Sequence, residues 1–289
     1  EETSKAMVKW KLRPRAKSAN KGDFGTLLCV CGSRGMAGAA VLSAKAAVRS
    51  GAGIVKMVLP ENIYPIVSSA VSEPVFVVMN STKTGTLSSK CKVELIELAN
   101  QSTACLIGCG MGCCADTKEL LYDIAASVKT PLVIDADGIN IISKNIDILK
   151  ELKATAVLTP HPGEMGRLLG IHAKEVQKNR LSIAKTFAIK YHVVLVLKGA
   201  NTLIAFPSGK VFVNRTGNPG MAKGGCGDVL AGMIASFLAQ GMDVSSAAMC
   251  GVYLHGKAGD MCAKEFSQTA MTPTDLIDKL PSLFLELER

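Results

Sequence analysis

The chain has 289 residues, 48% of them apolar and only 4% aromatic, with a formal net charge of +9. That length suits one large α/β domain as well as two small ones, and the wealth of small and branched apolar residues fits a parallel sheet covered by helices. No apolar run approaches the roughly 20 residues that a membrane-spanning helix needs, and the start lacks the apolar stretch of a signal peptide, so the reading is of a soluble, cytoplasmic protein.

More than half of the charge surplus falls in the first 21 residues, where seven basic side chains face Glu1 and Glu2. Residues 1–20 therefore read as a solvated basic arm, with residues 21–289 as one domain. No aromatic residues interleave with the basic ones to form a base-stacking platform, which argues against nucleic acid. The ten cysteines include Cys109, Cys113 and Cys114, but no Cys-x-x-Cys pair occurs, and that spacing argues against a metal cluster.

From Thr26 onward, short apolar runs alternate with helical segments. Strands are expected over Thr26–Cys31, Ile54–Leu59, Ala104–Ile107, Leu132–Ile134, Ala156–Leu158 and His192–Leu197. Helices are expected over Ala39–Ser50, Thr117–Ser127 and Val176–Lys190. Thr202–Phe206 and Val211–Asn214, joined by Pro207-Ser208-Gly209-Lys210, read as an antiparallel hairpin. The remainder, from Gly227, reads as helices. The glycine-rich or polar segments follow strand ends, where open parallel sheets bind ligands.

The most informative stretch runs from Asn218 to Gly232 and contains Gly224-Gly225-Cys226-Gly227-Asp228. Val229, Leu230, Met233, Ile234, Phe237 and Leu238 then mark one helical face that ends at Gly241. Glycines at a helix start leave bare amides that, with the helix dipole, attract an anion. Asp228, in the first turn, is placed to take a proton from an alcohol that attacks phosphorus. An isolated Gly-Asp would be no more than a turn with an acid that steadies the dipole. Three glycines in four residues after Asn-Pro-Gly tip the balance to a phosphate site. The loop is neither a Walker A motif nor a Gly-x-Gly-x-x-Gly fingerprint.

Further candidates sit at other strand ends. Lys198 can carry its ammonium into the crevice, and Gly199 beside it permits close backbone approach. His161, between two prolines, can donate to a substrate, or simply face water. Asp135 faces the crevice and is a candidate for magnesium through water, as is Glu164, which serves equally well as a helix cap; Asp137 reads as readily as an N-cap. His255, among apolar helical residues, reads as packed.

Taken in order, these motifs resemble the ribokinase-like small-molecule kinases, and most of all their dehydratase branch, the ADP-dependent NAD(P)H-hydrate dehydratases. The likeness is carried by Lys21–Gly25, Gly32-Ser33, Gly38-Ala39, Arg49–Gly53, Gly108–Gly112, Asp135–Asp137, Thr159–Gly170, Lys198–Thr202 and Asn218–Gly232. It implies a ribokinase-like α/β fold, with a central, mostly parallel sheet flanked by helices and a small antiparallel hairpin. The implied reaction is the magnesium- and ADP-dependent dehydration of the S epimer of hydrated NADH or NADPH, releasing AMP and phosphate. Position by position, Lys198, Gly199, Ala200, Asn201 and Thr202 would hold the nucleotide together with Gly224, Gly225 and Gly227. Ala39, Gly110, Gly112 and His161 would line the hydrate site, and Asp228 would be the base. Relatives imply a homotetramer, and an epimerase domain is often fused upstream of this one. Lys223 departs from the family pattern and is expected to add charge near the phosphates; Cys226, Met36 and Ala40 depart too. The rivals are a kinase of a small alcohol such as a vitamin precursor and a non-catalytic nucleotide sensor.

Overall fold

The computed structural model describes residues 1–12 and 14–288; Arg13, one of the seven basic residues of the N-terminal segment, and Arg289 lie outside them. Helix α1 (Lys5–Lys11) comes first, then β1 (Thr26–Val30), α2 (Ala37–Arg49), β2 (Ile54–Pro60), α3 (Tyr64–Ala70), β3 (Val75–Met79) and α4 (Lys92–Gln101). The middle of the chain runs β4 (Ala104–Ile107), α5 (Ala115–Ser127), β5 (Leu132–Ile134), α6 (Asp137–Ile142), β6 (Ala156–Leu158), α7 (Pro162–Leu169), α8 (Ala173–Lys178) and α9 (Arg180–Tyr191). It closes with β7 (Val194–Leu197), β8 (Thr202–Ala205), β9 (Val211–Asn214), α10 (Cys226–Ala239), α11 (Val244–Ala270) and α12 (Pro273–Glu288).

The nine strands form one sheet in the order β3-β2-β1-β4-β5-β6-β7-β8-β9. Pairing is parallel from β3 through β7 and antiparallel over β7-β8-β9. The expected mostly parallel sheet with its hairpin is thus the fold. Successive strand residues point to opposite faces, so each strand feeds two cores. Leu27, Cys29, Met57 and Leu106 pack with α2, α10, α11 and α12. Leu28, Val30, Cys105 and Ile107 pack with α4, α5, α6, α7 and α9.

Helix α10 is buried along almost its whole length, so it is apolar on nearly every side. It lies against α2 so closely that a Cβ at Gly232 would stand 2.3 Å from the Ser43 carbonyl oxygen. This packing sets the α10 N-terminus at the rim where the parallel strands end.

Three expectations shift. The single helix over Val176–Lys190 is two, broken at Asn179 (φ −124°, ψ 27°). His192 is a left-handed helix cap (φ 53°), so β7 begins only at Val194. The N-terminal residues do not stand free of the domain: Glu2 bridges to Val213 of β9 and Val8 of α1 is 2% exposed, while Trp10 stays exposed. Among the described residues no helix is long and apolar enough to cross a membrane.

Candidate active site

The strand order reverses between β1 and β4, and beside such a reversal, at the C-terminal ends of the strands, a doubly wound sheet forms its ligand crevice. Gly108, after β4, adopts φ 124°, and a Cβ on it would stand 2.0 Å from the Asp135 carbonyl oxygen. Glycine is therefore required for the β4 and β5 loops to touch. Asp135 follows β5 and Thr159 follows β6, side by side in the parallel register, while Lys198 follows β7 two residues beyond the position opposite Thr159 and its long side chain joins the pair at the rim.

They are bonded to one another. Asp135 Oδ1 accepts from Thr159 Oγ1 at 2.7 Å and from Lys198 Nζ at 3.0 Å. The ammonium also lies 3.8 Å from Glu164 Oε2. Asp135 is almost wholly buried, and the Lys198 side chain is 19% exposed. Burial works against the Lys198 charge, but Asp135 and Glu164 outweigh it and the pKa rises.

Opposite this row stands the N-terminus of α10. Gly225 takes φ 97°, where a Cβ would collide with Leu42 at 2.6 Å. Among the described residues none accepts from the amides of Gly224, Gly225, Gly227 or Asp228; the Cys226 amide turns back to Lys223 O at 3.3 Å. A Cβ at Gly224 would touch nothing, and one at Gly227 would stand 3.3 Å from Lys198 Nζ. The helix thus presents free donors to the crevice with a cation across from them, which suits an anion.

Asp228 lies in the first turn. Oxygens of Asp228 and Asp135 and the Cys109 sulfur fall within 4.8 Å of one another. Burial, then the nearby Asp135 charge, push the Asp228 pKa up to about 6. A carboxylate so tuned can exchange a proton near neutral pH.

The other proposed groups gather at the switch point. A Cβ at Gly110 would meet that of Ala39 at 2.8 Å, and one at Gly112 would stand 3.7 Å from Ser33 Oγ. Asp137 is not the cap of α6: Ala136 occupies that place with φ 49°, and Asp137 Oδ2 instead accepts from the Gly112 amide at 2.9 Å, holding the loop. His161 caps α7, its Nδ1 accepting from the Gly163 amide at 3.0 Å, and its ring is about half exposed beside the row. Burial, then Lys198 and Arg167, lower its pKa, favouring the neutral ring. Glu164 caps reciprocally, its Oε2 accepting from the His161 amide at 2.8 Å. Burial raises the Glu164 pKa against the pull of Lys198.

Segment 198–202 leaves the rim with Gly199, Ala200 and Asn201 exposed, Asn201 in a left-handed conformation (φ 56°) and Thr202 Oγ1 donating to Gly199 O at 3.0 Å. Its backbone is gripped by Arg180, which donates to Leu197 O at 3.1 Å and to Ala200 O. Nothing in the sequence around Arg180 signals that role, whereas Thr159 occupies the same post-strand position as Asp135 and was findable from it. Lys223 disagrees with expectation: its ammonium donates to the carbonyls of Thr269 and Met271, both at 2.6 Å, and so caps the end of α11 instead of charging the anion site. His255 is packed as expected, its ring against the Cys226 backbone, and burial lowers its pKa to about 4.

The NAD(P)H-hydrate dehydratase family model matches residues 27–282. The chain belongs to that family. It is 41% identical over 283 residues to the bifunctional NAD(P)H-hydrate repair enzyme of Moorella thermoacetica, which covers 98% of this chain and 53% of that protein. It is 36% identical over 256 residues to the ADP-dependent (S)-NAD(P)H-hydrate dehydratase of Neisseria meningitidis, covering 86% of this chain and 81% of that one. The crystal structure of the ADP/ATP-dependent NAD(P)H-hydrate dehydratase of Bacillus subtilis, co-crystallised with ATP and Mg2+, superposes with a TM-score of 0.84 at 30% identity, covering 98% of this chain and 97% of that one. The chain spans about half the length of most of the curated relatives it matches.

Proposed function

We propose that this family member dehydrates the S epimer of hydrated NADH and NADPH, with ADP as phosphoryl donor. The observation that carries the reading is the start of α10, where free amides, Asp228 and the Lys198 ammonium face one another across the crevice. The β-phosphoryl group of ADP lies on the amides of Gly224, Gly225 and Gly227, with Lys198 against its oxygens, and segment 198–202 holds the rest of the nucleotide. The hydrate ring lies over Gly110 and Gly112 between Ala39 and His161, its hydroxyl toward Asp228. Asp228 takes the hydroxyl proton, the oxygen attacks phosphorus, and AMP leaves. The phosphate ester then eliminates as the carbon–oxygen bond breaks and the neighbouring carbon loses a proton, which restores the double bond.

Magnesium fits this donor set as an ion held by phosphates and water. Asp135 Oδ2 and Asp228 offer hard oxygens, whereas Cys109 Sγ is a soft neighbour and Asp135 Oδ1 is committed to Lys198 and Thr159. Asp135, with Glu164 behind it, would hold it through water; bound there, it neutralises charge on the phosphoryl oxygens. Residues 21–289 form the catalytic unit, and the working form is a cytoplasmic homotetramer.

Incubation with ADP and hydrated NADH is expected to restore the absorbance of NADH with one AMP released per turnover. No recovery, together with phosphorylation of a vitamin alcohol, would replace the dehydratase reading with that of a kinase. Gly227→Ala separates fold from site. Alanine favours a helix over glycine by about 0.5–1 kcal/mol, so melting should not fall. The methyl group would meet the Lys198 ammonium, and ADP affinity is expected to drop about tenfold, close to 1.4 kcal/mol, in a calorimetric titration.

A further inference from the structure

A basic cavity adjoins the crevice and has no part in the roles above. It is an open hollow of about 500 Å³ that begins at Cys113, the residue after Gly112. Lys118 of α5, Lys144 just beyond α6 and Arg167 of α7 line it, and no Asp or Glu does so among the described residues. None of these three cations is ion-paired among the described residues. Asp137, beside the cavity's Cys113 and Asn140, already accepts from the Gly112 amide at 2.9 Å and from Asn140 Nδ2 at 3.4 Å. Arg167 is aimed: its Nε donates to Asn140 Oδ1 at 2.9 Å, which fixes the guanidinium plane and leaves both terminal nitrogens for a ligand. Its Nη1 would stand 3.9 Å from a Cβ at Gly163, so the cation also reaches the His161 loop.

We propose that this cavity binds a phosphate of the dinucleotide substrate, remote from the reacting ring. The three cations come from separate elements and are all exposed at one hollow, where together they concentrate positive potential and favour an anion that can join them. The direction of the substrate agrees. Segment 198–202 takes the co-substrate nucleotide, so the dinucleotide tail must leave the Gly110–Gly112 loop on its other side, over Cys113. Two phosphates could arrive there, the pyrophosphate that both substrates carry or the 2′-phosphate that NADPH alone carries. The ligand's identity rests on the dehydratase reading; the charge of the site does not.

The test uses the full chain and the products NADH and NADPH as probes, read by fluorescence titration. Replacing Lys144 and Arg167 together by alanine is expected to weaken binding about tenfold for each lost cation, with ADP affinity kept within twofold as the control for folding. Equal loss for both dinucleotides assigns the pyrophosphate; loss for NADPH alone assigns the 2′-phosphate; either upholds the proposal. A change below twofold for both overturns it. Alkylation of the exposed Cys113 gives a second readout: NADPH should slow it in the unaltered chain and not in the double variant, and no protection in the unaltered chain overturns the proposal as well. Because no turnover enters, a protein that binds NADPH through this cavity but fails to dehydrate the hydrate would refute the reaction and leave the site standing.

Discussion

Asp228→Asn is expected to lower turnover about 1,000-fold, within the range that a lost general base costs, while ADP binds within a few-fold of its original affinity. The amide is close in shape to the carboxylate, so the free amides of α10 and the Lys198 ammonium keep their places. What goes is the only lone pair of the first turn able to take the hydroxyl proton. The unaltered chain should lose kcat/KM tenfold per pH unit below about 6, where Asp228 protonates. Asp135→Asn, by removing the charge that helps to raise that pKa, should move this limb to lower pH.

Asp228→Asn should also raise Tm. The folded-state pKa of about 6 exceeds the ordinary carboxylate value of 3.8. Between those values the folded chain keeps a proton that the unfolded chain has released, so stability declines as pH rises through the window and levels off above it. Ionised Asp228 thus costs the fold on the order of 2–3 kcal/mol at pH 8, and asparagine removes that cost. Melting curves should show the variant gaining at pH 8 and little at pH 4. Turnover that survives the change would take Asp228 out of the reaction, and a pH-independent gain would mean that its burial is not what disfavours its charge.

The elements legible in the sequence are those whose local pattern agrees with their tertiary place. β1, β4, β5 and β6 are short apolar runs buried on both faces and stopped by glycine or a polar residue, and their expected ends match to within a residue. β3, absent from the expected strands, carries the same mark, a Val-Phe-Val-Val-Met run stopped by Asn80, although as an edge strand it leaves Val75 and Val78 exposed. Asn179 interrupts a helical pattern without proline or glycine, since two short helices there turn onto different neighbours. The basic count of residues 1–20 masks a helix that packs through little more than Val8.

Within the site, positions were readable where backbone geometry alone dictates them: Asp135 and Lys198 at strand ends, Asp228 at a helix start. Roles that depend on where a long side chain turns were not. Lys223 sits two residues before Gly225 yet reaches the end of α11, and Arg180 reaches across from α9 to grip segment 198–202. Cys109 shows the same limit. Its spacing argues against a cysteine cluster, but the parallel register of β4 and β5 carries its sulfur to Asp135 at 3.7 Å, a pairing that no local motif encodes.

Lys198→Met is expected to damage both binding and stability, and the two losses can be separated. The methionine keeps the bulk of the stem but leaves Asp135 and Glu164 buried without their cation. Removing one partner of a buried pair costs about 3–5 kcal/mol because the remaining charge is uncompensated. Lys198 also lowers the pKa of Glu164 and of Asp228. Without it both carboxyls rise further and take up protons at higher pH, so the loss in Tm should be largest near pH 8 and shrink toward pH 5. Adding Asp135→Asn removes the stranded charge: the double variant should recover most of the melting temperature, and the shortfall from additivity measures the pair. ADP affinity should not recover, since the phosphate still lacks its cation; a loss of about 100-fold is expected in both variants. Equal melting of Lys198→Met and the unaltered chain at every pH would mean that water, not this ammonium, compensates Asp135. Affinity restored by the second substitution would mean that Lys198 serves the nucleotide only by neutralising Asp135.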